Sequence, residues 1–230
     1  MDANIVAEDA RRAELLAAQG KALALFAAIE RDSLIAAGRN EADVEADILA
    51  LAEREFGITQ HWHRRIVRSG PNTLTTAADY PDPRIIGPED TVYVDLGPVF
   101  AAWEADIGRT YALGDAEDRR RLVADLPRVF DRVQAYYLDT PEITGAELYA
   151  FAQRAADEAG WAFGGAIAGH WVGEFSHSIW PGERPQKAIW PANDQPLRGL
   201  DHLGRTRHWI LEIHLVDRAR TFGGFYEQLL

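Results

Sequence analysis

Apolar residues over the first forty positions recur at helical spacing. Leu15, Leu16, Leu23, Leu25, Phe26 and Ile29 form a stripe in an Ala-, Leu-, Glu- and Arg-rich stretch, which predicts one long helix. Gly38-Arg39-Asn40 breaks it, and Asn40 fits the N-cap of a second helix that runs to about Glu55 and ends at Gly57. From Ile58 to Leu113 the texture changes. His61 to Arg68 and Thr91 to Leu96 are rich in β-branched and aromatic residues and read as strands, with Gly-Pro turns at 70–71 and 87–88. Helical spacing returns at about 116–138 and 144–159, the second with Thr144 as N-cap and Glu147 at the capping-box position. Strand-like segments close the chain at 162–180, His208 to Val216 and Phe225 to Leu229. Helix, helix, strands, helix, helix, strands predicts an α+β fold built from two similar halves. The longest irregular stretch, Pro181 to Gly204, holds four of the eleven prolines and is expected to be functional or mobile.

Several polar residues interrupt the strands. Asp95 follows Val92-Tyr93-Val94, and Asp106 comes after a predicted turn around Phe100 to Glu104. A hairpin would bring these two acids about 5 Å apart. Like charges that close repel unless a cation stands between them, although each could also be the polar end of an ordinary strand. His170 and His177 stand seven apart in GHWVGEFSH, a spacing open to a helix face or two loop positions. Glu212 interrupts the apolar run His208 to His214, and His214 shares its face by period-two alternation. Glu227 is an acid in the last strand, three residues from the end.

Each oddity has an ordinary structural reading when taken alone. Together, four acids and one histidine at places where strands bury apolar side chains fit a carboxylate-rich metal site. Oxygen donors with one imidazole suit Mn, Fe, Co or Zn, and a formal charge of about −4 balances two divalent ions.

Composition narrows the setting. The 230 residues, 47% apolar, are enough for a sizeable core, and the net charge of −12 argues against nucleic acid as a partner. Arg64, Arg65 and Arg68 form the one basic cluster outside a helix, a weak footprint for phosphate. No apolar run approaches the ~20 residues of a membrane span. The polar, acidic N-terminus does not read as a secretory signal, and there is no cysteine, so a cytoplasmic location without membrane partners is expected.

The ordered set Asp95, Asp106, His170, Glu212, Glu227 resembles the pita-bread metallopeptidase family of methionine aminopeptidase, aminopeptidase P, prolidase and creatinase. VDLG…DIGRT is similar to that family's Asp-x-Gly and Asp-x-x-Arg-Thr segments, and GHWVGEFSH to its Gly-His-Gly-x-Gly-x-x-x-His segment. LEIHL stands where the family has a Glu-Pro-Gly strand, and GFYEQLL where its last ligand strand falls. SGPN at 69–72 is closest to the Xaa-Pro branch.

The resemblance implies the pita-bread fold: a pseudo-symmetric antiparallel sheet covered by helices. It also implies two divalent ions (Mn, Co, Fe or Zn) on Asp95, Asp106, His170, Glu212 and Glu227. Glu212 would act as general base, and His177 would polarise the substrate carbonyl. The expected activity is aminopeptidase or Xaa-Pro peptidase hydrolysis of a small peptide. A single catalytic domain over 1–230 is expected, with helices in 1–57 and a catalytic core in 58–230. The extra N-terminal domain of prolidase-like members is not expected, and a homodimer is left open.

Three departures keep other readings open. Ala77 stands near the position of a substrate-binding histidine of the peptidases, and His61 or His63 could reach inward to compensate. Ser178 replaces the usual Glu after His177, and Ile213-His214 replaces Pro-Gly, so that the strand should continue with His214 beside the site. Trp171, Trp180 and Trp190 are either core or the walls of a narrow apolar pocket, with Trp171 the candidate for substrate contact. A non-peptidase small-molecule enzyme on the same metals and a catalytically silent binding module are the alternatives.

Overall fold

The first apolar stripe forms α1 (Ala3–Arg31), shorter than the forty residues predicted. Ser33 ends it by taking a left-handed φ of 51°, and its N–H and that of Leu34 close back on the carbonyls of Glu30 and Ile29. The structure is a computed structural model that describes residues 3–176, 184–201 and 203–230. α2 (Glu41–Phe56) begins at Asn40, whose side chain accepts from the Ala42 N–H, and ends at Gly57 with φ 64°. α3 (Glu117–Asp139) and α4 (Gly145–Glu158) follow the later stripes, and Thr144 and Glu147 complete the predicted capping box.

The strands are β1 (Ile66–Ser69), β2 (Thr91–Leu96), β3 (Val99–Phe100), β4 (Trp103–Glu104), β5 (Ile107–Ala112), β6 (Ala162–Phe163), β7 (Gly169–Val172), β8 (His208–Val216) and β9 (Gly223–Leu229). Two differences from the predicted strands matter. The strand expected over 61–68 is only β1, because Gln60 and Trp62 bond instead to Val99 and Gly97 beyond β2. The described part of the strand expected over 162–180, residues 162–176, splits into β6 and β7, both paired with β8.

Seven strands form one sheet in the order β1-β2-β5-β9-β8-β6, with β7 also on β8, and every pairing is antiparallel. β3 and β4 make a separate small hairpin turning at Ala101. Val92, Val94, Leu96 and Ile107 pack under α1 and α2 with Leu25, Phe26, Ile48 and Leu51. Leu211, Ile213 and Leu215 pack under α3 and α4 with Leu122, Leu126, Leu148 and Ala152. Each half of the sheet thus has its own helix pair over a dry face, which leaves the residues between these on the other face. That uncovered face holds Tyr93, Asp95, Asp106, Gly108, Thr110, Glu212, His214, Phe225 and Glu227. Among the described residues, no helix is long and apolar enough to cross a membrane.

Candidate metal centre

Strand register lines up three of the four acids. Asp95 faces Gly108, Gly108 faces Glu227, and Glu227 faces Glu212. Asp106 lies two residues before Gly108, so it points to the same face and leans into the gap that glycine leaves. The gap is enforced by packing: a Cβ on Gly108 would lie 2.5 Å from the Phe225 ring. Thr110 joins the two halves beside this row. Its hydroxyl donates to the Phe225 carbonyl and accepts the Phe225 N–H, both at 2.7 Å, where β5 and β9 would otherwise exchange backbone bonds.

Two imidazoles approach the acids. His170 on β7 places Nε2 2.9 Å from Asp106 Oδ2, 3.6 Å from Glu212 and 3.8 Å from Glu227. His63 places Nε2 3.0 Å from Asp106 Oδ1 and 3.5 Å from Asp95 Oδ1. Donor atoms of His63, Asp95 and Asp106 therefore converge, as do those of Asp106, His170 and Glu227. The Trp62 ring stands edge-on to both imidazoles, 4.5 Å from His63 and 5.1 Å from His170.

This concentration of charge shifts every group in it. Burial pushes the Asp95 carboxyl up to about 7, partly offset by His63. Burial likewise pushes Glu212 up to about 7. Glu227 rises well above the usual carboxylate range through burial and the charges of Asp106, Asp95 and Glu212. Asp106 goes the other way: burial opposes its charge, but His63 and His170 outweigh it and hold the group low. Burial also works against charge on the histidines, yet Asp106 and Asp95 raise His63 to about 10, and Asp106 raises His170 to about 9.

Asp95 Oδ1 and Glu227 Oε2 are buried and accept no hydrogen bond among the described residues. A buried carboxylate oxygen without a partner is costly, and a cation is what relieves it. The donor set therefore fits divalent ions better than it fits a self-contained polar network.

Beside the acids lies a cavity of about 280 Å³, walled by Thr75, Thr76 and Ala77, by Gly165, Ala166 and Ile167, and by Tyr93, His214 and Phe225. Arg64 and Arg68 brace its first wall. Arg64 donates to the carbonyls of Ala77 and Asp79, and Arg68 to those of Thr76 and Asp79, each at 2.8 Å. The basic cluster is thus occupied with loop carbonyls and, through Arg65, with Glu45.

A family model described as metallopeptidase family M24 matches residues 11–198. The chain belongs to metallopeptidase family M24. Its pita-bread fold is shared with an X-Pro aminopeptidase from Thermotoga maritima (22% identity, TM-score 0.70, covering 95% of this chain and 57% of that one). It is also shared with the dipeptidase PepE from Mycobacterium ulcerans (27%, 0.70, 96% and 54%) and a prolidase from Pyrococcus furiosus (21%, 0.67, 100% and 65%). The chain thus spans less than two thirds of the length of each. No curated protein sequence matches it.

Within this M24 fold, Asp95, Asp106, His170, Glu212 and Glu227 come together, and His63 joins them. His61 does not: it pairs with Pro98, and burial together with Arg65 pushes it down to about 4. β8 runs unbroken through Ile213-His214, and His214 lines the cavity while its Nε2–H donates to the Thr73 carbonyl at 2.8 Å. Trp171 is buried against Trp209 with Arg207 over its ring, away from the cavity lining. Trp190 is likewise not among the lining residues. His177, Ser178 and Trp180 lie outside the described residues. Sequence reasoning missed Trp62 as the wall behind both imidazoles and Gly108 as the spacer among the acids; the glycine in Asp-Ile-Gly-Arg-Thr was the available signal for the latter.

Proposed function

We propose that the chain is a dinuclear metal-dependent hydrolase of C–N bonds in small substrates, with Asp95, Asp106, His170, Glu212 and Glu227 holding two divalent ions (Mn, Co, Fe or Zn). The observation that carries this is the pair of buried oxygens on Asp95 and Glu227 that accept no hydrogen bond among the described residues, set among acids that share one sheet face. Bound there, such ions supply a hydroxide near neutral pH and polarise a carbonyl.

The chain's own residues divide the remaining work. Glu212 is the most accessible of the four acids, its side chain 16% exposed against 9%, 2% and 3% for Asp95, Asp106 and Glu227. It is the acid that a solvent proton or an attacking water can reach, which supports its role as general base. Asp106, held as the carboxylate, keeps both imidazoles oriented. His177 is assigned the carbonyl-polarising role by resemblance alone. The cavity of about 280 Å³ falls just below the ~300–1,000 Å³ typical of small-molecule sites, which supports a dipeptide-sized substrate. An aminopeptidase or Xaa-Pro-type activity is the first choice, in keeping with the fold's prolidase and X-Pro aminopeptidase relatives.

Ala77 favours one second reading. Its methyl group lines the cavity near the place of the peptidases' histidine, which suits non-peptidase C–N hydrolysis of a small molecule.

Metal analysis of the purified chain, followed by assay of the Mn(II)- or Co(II)-loaded protein on Xaa-Pro and Met-Ala peptides, tests both. Two ions and peptide cleavage are expected. Two ions with no cleavage moves the assignment to the small-molecule reading, to be pursued with a metabolite screen, and a protein that takes up no ion overturns both.

A further inference from the structure

His63 enters the site from a segment that contributes none of the five expected ligands. Its backbone is clamped around Asp95: Val99 N–H donates to the Gln60 carbonyl at 3.0 Å, and Trp62 N–H to the Gly97 carbonyl at 2.9 Å. The Trp62 indole adds a bond to the Ala105 carbonyl at 3.1 Å, on the residue before Asp106. Space for the imidazole is reserved by Gly97, where a Cβ would fall 2.1 Å from His63 Cδ2 and 2.3 Å from Nε2.

The ring is oriented as a metal-binding imidazole is. His63 Nδ1 lies 2.6 Å from the Arg64 carbonyl, so it carries a proton and leaves Nε2 to face the acids. His170 repeats the device, with Nδ1 2.7 Å from the Trp171 carbonyl. Such a bond from the far nitrogen fixes the tautomer that ligates. The spacings also fit. Donors ~2.1 Å from one ion stand ~3.0 Å apart at an octahedral edge and ~3.4 Å at a tetrahedral one. His63 Nε2 is 3.0 Å from Asp106 Oδ1 and 3.5 Å from Asp95 Oδ1, the buried oxygen that accepts no hydrogen bond among the described residues.

We infer that His63 is a sixth protein ligand, bound through Nε2 to the ion shared by Asp95 and Asp106, so that each ion of the pair carries one imidazole. This rests on the two-ion reading above. It changes the chemistry of that ion from all-carboxylate, which suits Mn(II), to mixed nitrogen and oxygen, which suits Zn(II) or Co(II). The competing account is that His63 only hydrogen-bonds the two acids.

The experiment is titration of the chelator-stripped full chain with Zn(II) and with Mn(II), for wild type, His63→Ala, His63→Gln and His170→Ala. Wild type is expected to take two Zn(II). Both His63 variants should keep one tight ion and lose affinity for the other by more than the ~10–100-fold that an outer partner costs, with a smaller loss for Mn(II). His170→Ala should weaken the other ion. Glutamine keeps a hydrogen-bonding group, so two Zn(II) at wild-type affinity in His63→Gln overturns the inference while leaving the two-ion reading intact. In wild-type protein labelled with ¹⁵N-histidine and loaded with ¹¹³Cd, two imidazole nitrogens coupled to cadmium are expected. A single coupled nitrogen overturns the assignment without relying on any variant's folding. No uptake of Zn(II), Mn(II) or Cd(II) by wild type overturns the two-ion reading as well.

Discussion

His63 and His170 each bind a different oxygen of Asp106, Nε2 to Oδ1 at 3.0 Å in one case and Nε2 to Oδ2 at 2.9 Å in the other. The two histidines come from separate halves of the chain, yet each ties its Nδ1 to the carbonyl of the residue that follows it. Asp106 is the hinge of the centre, and the strongly lowered pKa of its carboxyl follows from that position.

Metal uptake should release protons. Without an ion, the acids push His63 up to about 10 and His170 up to about 9, so both imidazoles hold protons at neutral pH, and burial with the neighbouring acids shifts Glu227 toward its protonated form. Ligation requires the deprotonated forms, so affinity for Zn(II) should rise with pH between about 6 and 9. Calorimetry at pH 7 in buffers of different ionisation enthalpy should show at least one proton released per chain. A binding enthalpy independent of buffer would contradict this.

Stripping the ions should lower thermal stability. A ligand at 100 times its dissociation constant adds ~2.7 kcal/mol to the folded state. For a chain of this size that corresponds to a melting shift of ~5–10 °C, reversed by adding Zn(II) or Co(II) after chelation. Calorimetric scans with and without chelator measure it.

Thr110→Val should weaken the seam between the halves. The hydroxyl serves both the N–H and the carbonyl of Phe225, and valine leaves both part-buried groups without this partner at a cost of ~1–3 kcal/mol. Denaturant midpoints of the variant and wild type give the number. An unchanged midpoint would mean that β5 and β9 close the gap themselves.

Gly97→Ala should act through His63. The added methyl meets the imidazole and the Trp62 indole, so the side chains must shift at a cost of ~1–3 kcal/mol. The affinity of one Zn(II) should fall with it. Gly173→Ala, whose Cβ would meet nothing within 4 Å among the described residues, is the control and should leave Zn(II) binding unchanged.

The acids were legible because carboxylates are conspicuous in strands whose other residues are apolar. Asp95 and Glu212 each break a run of buried apolar side chains, Glu227 is a buried acid between half-buried neighbours, and period-two alternation alone puts Glu212 and His214 on one face. Histidine placement was less legible. His61 and His63 would share a face if their segment were a strand, so alternation could not separate them. The segment is irregular, however, because its backbone bonds go to residues 97–99, and only His63 turns inward. Trp171 shows the same limit from the other side: next to His170 in sequence, it points to the opposite face of β7 and joins the core beneath α3 and α4. The row Asp95, Gly108, Glu227, Glu212 depends on the pairing of Gly108 with Glu227 between distant strands, which no local pattern encodes.

That row also decides when the site exists. Its members come from both halves of the chain, and the pairing that joins those halves, β5 on β9 at Gly108 and Glu227, spans more than a hundred residues. A cation held by them therefore has nothing to grip until the final strands have docked, and little influence on how quickly they do. Its effect falls on the reverse step: the halves cannot part without first surrendering the ion, so occupancy should lengthen the lifetime of the native state far more than it hastens its formation.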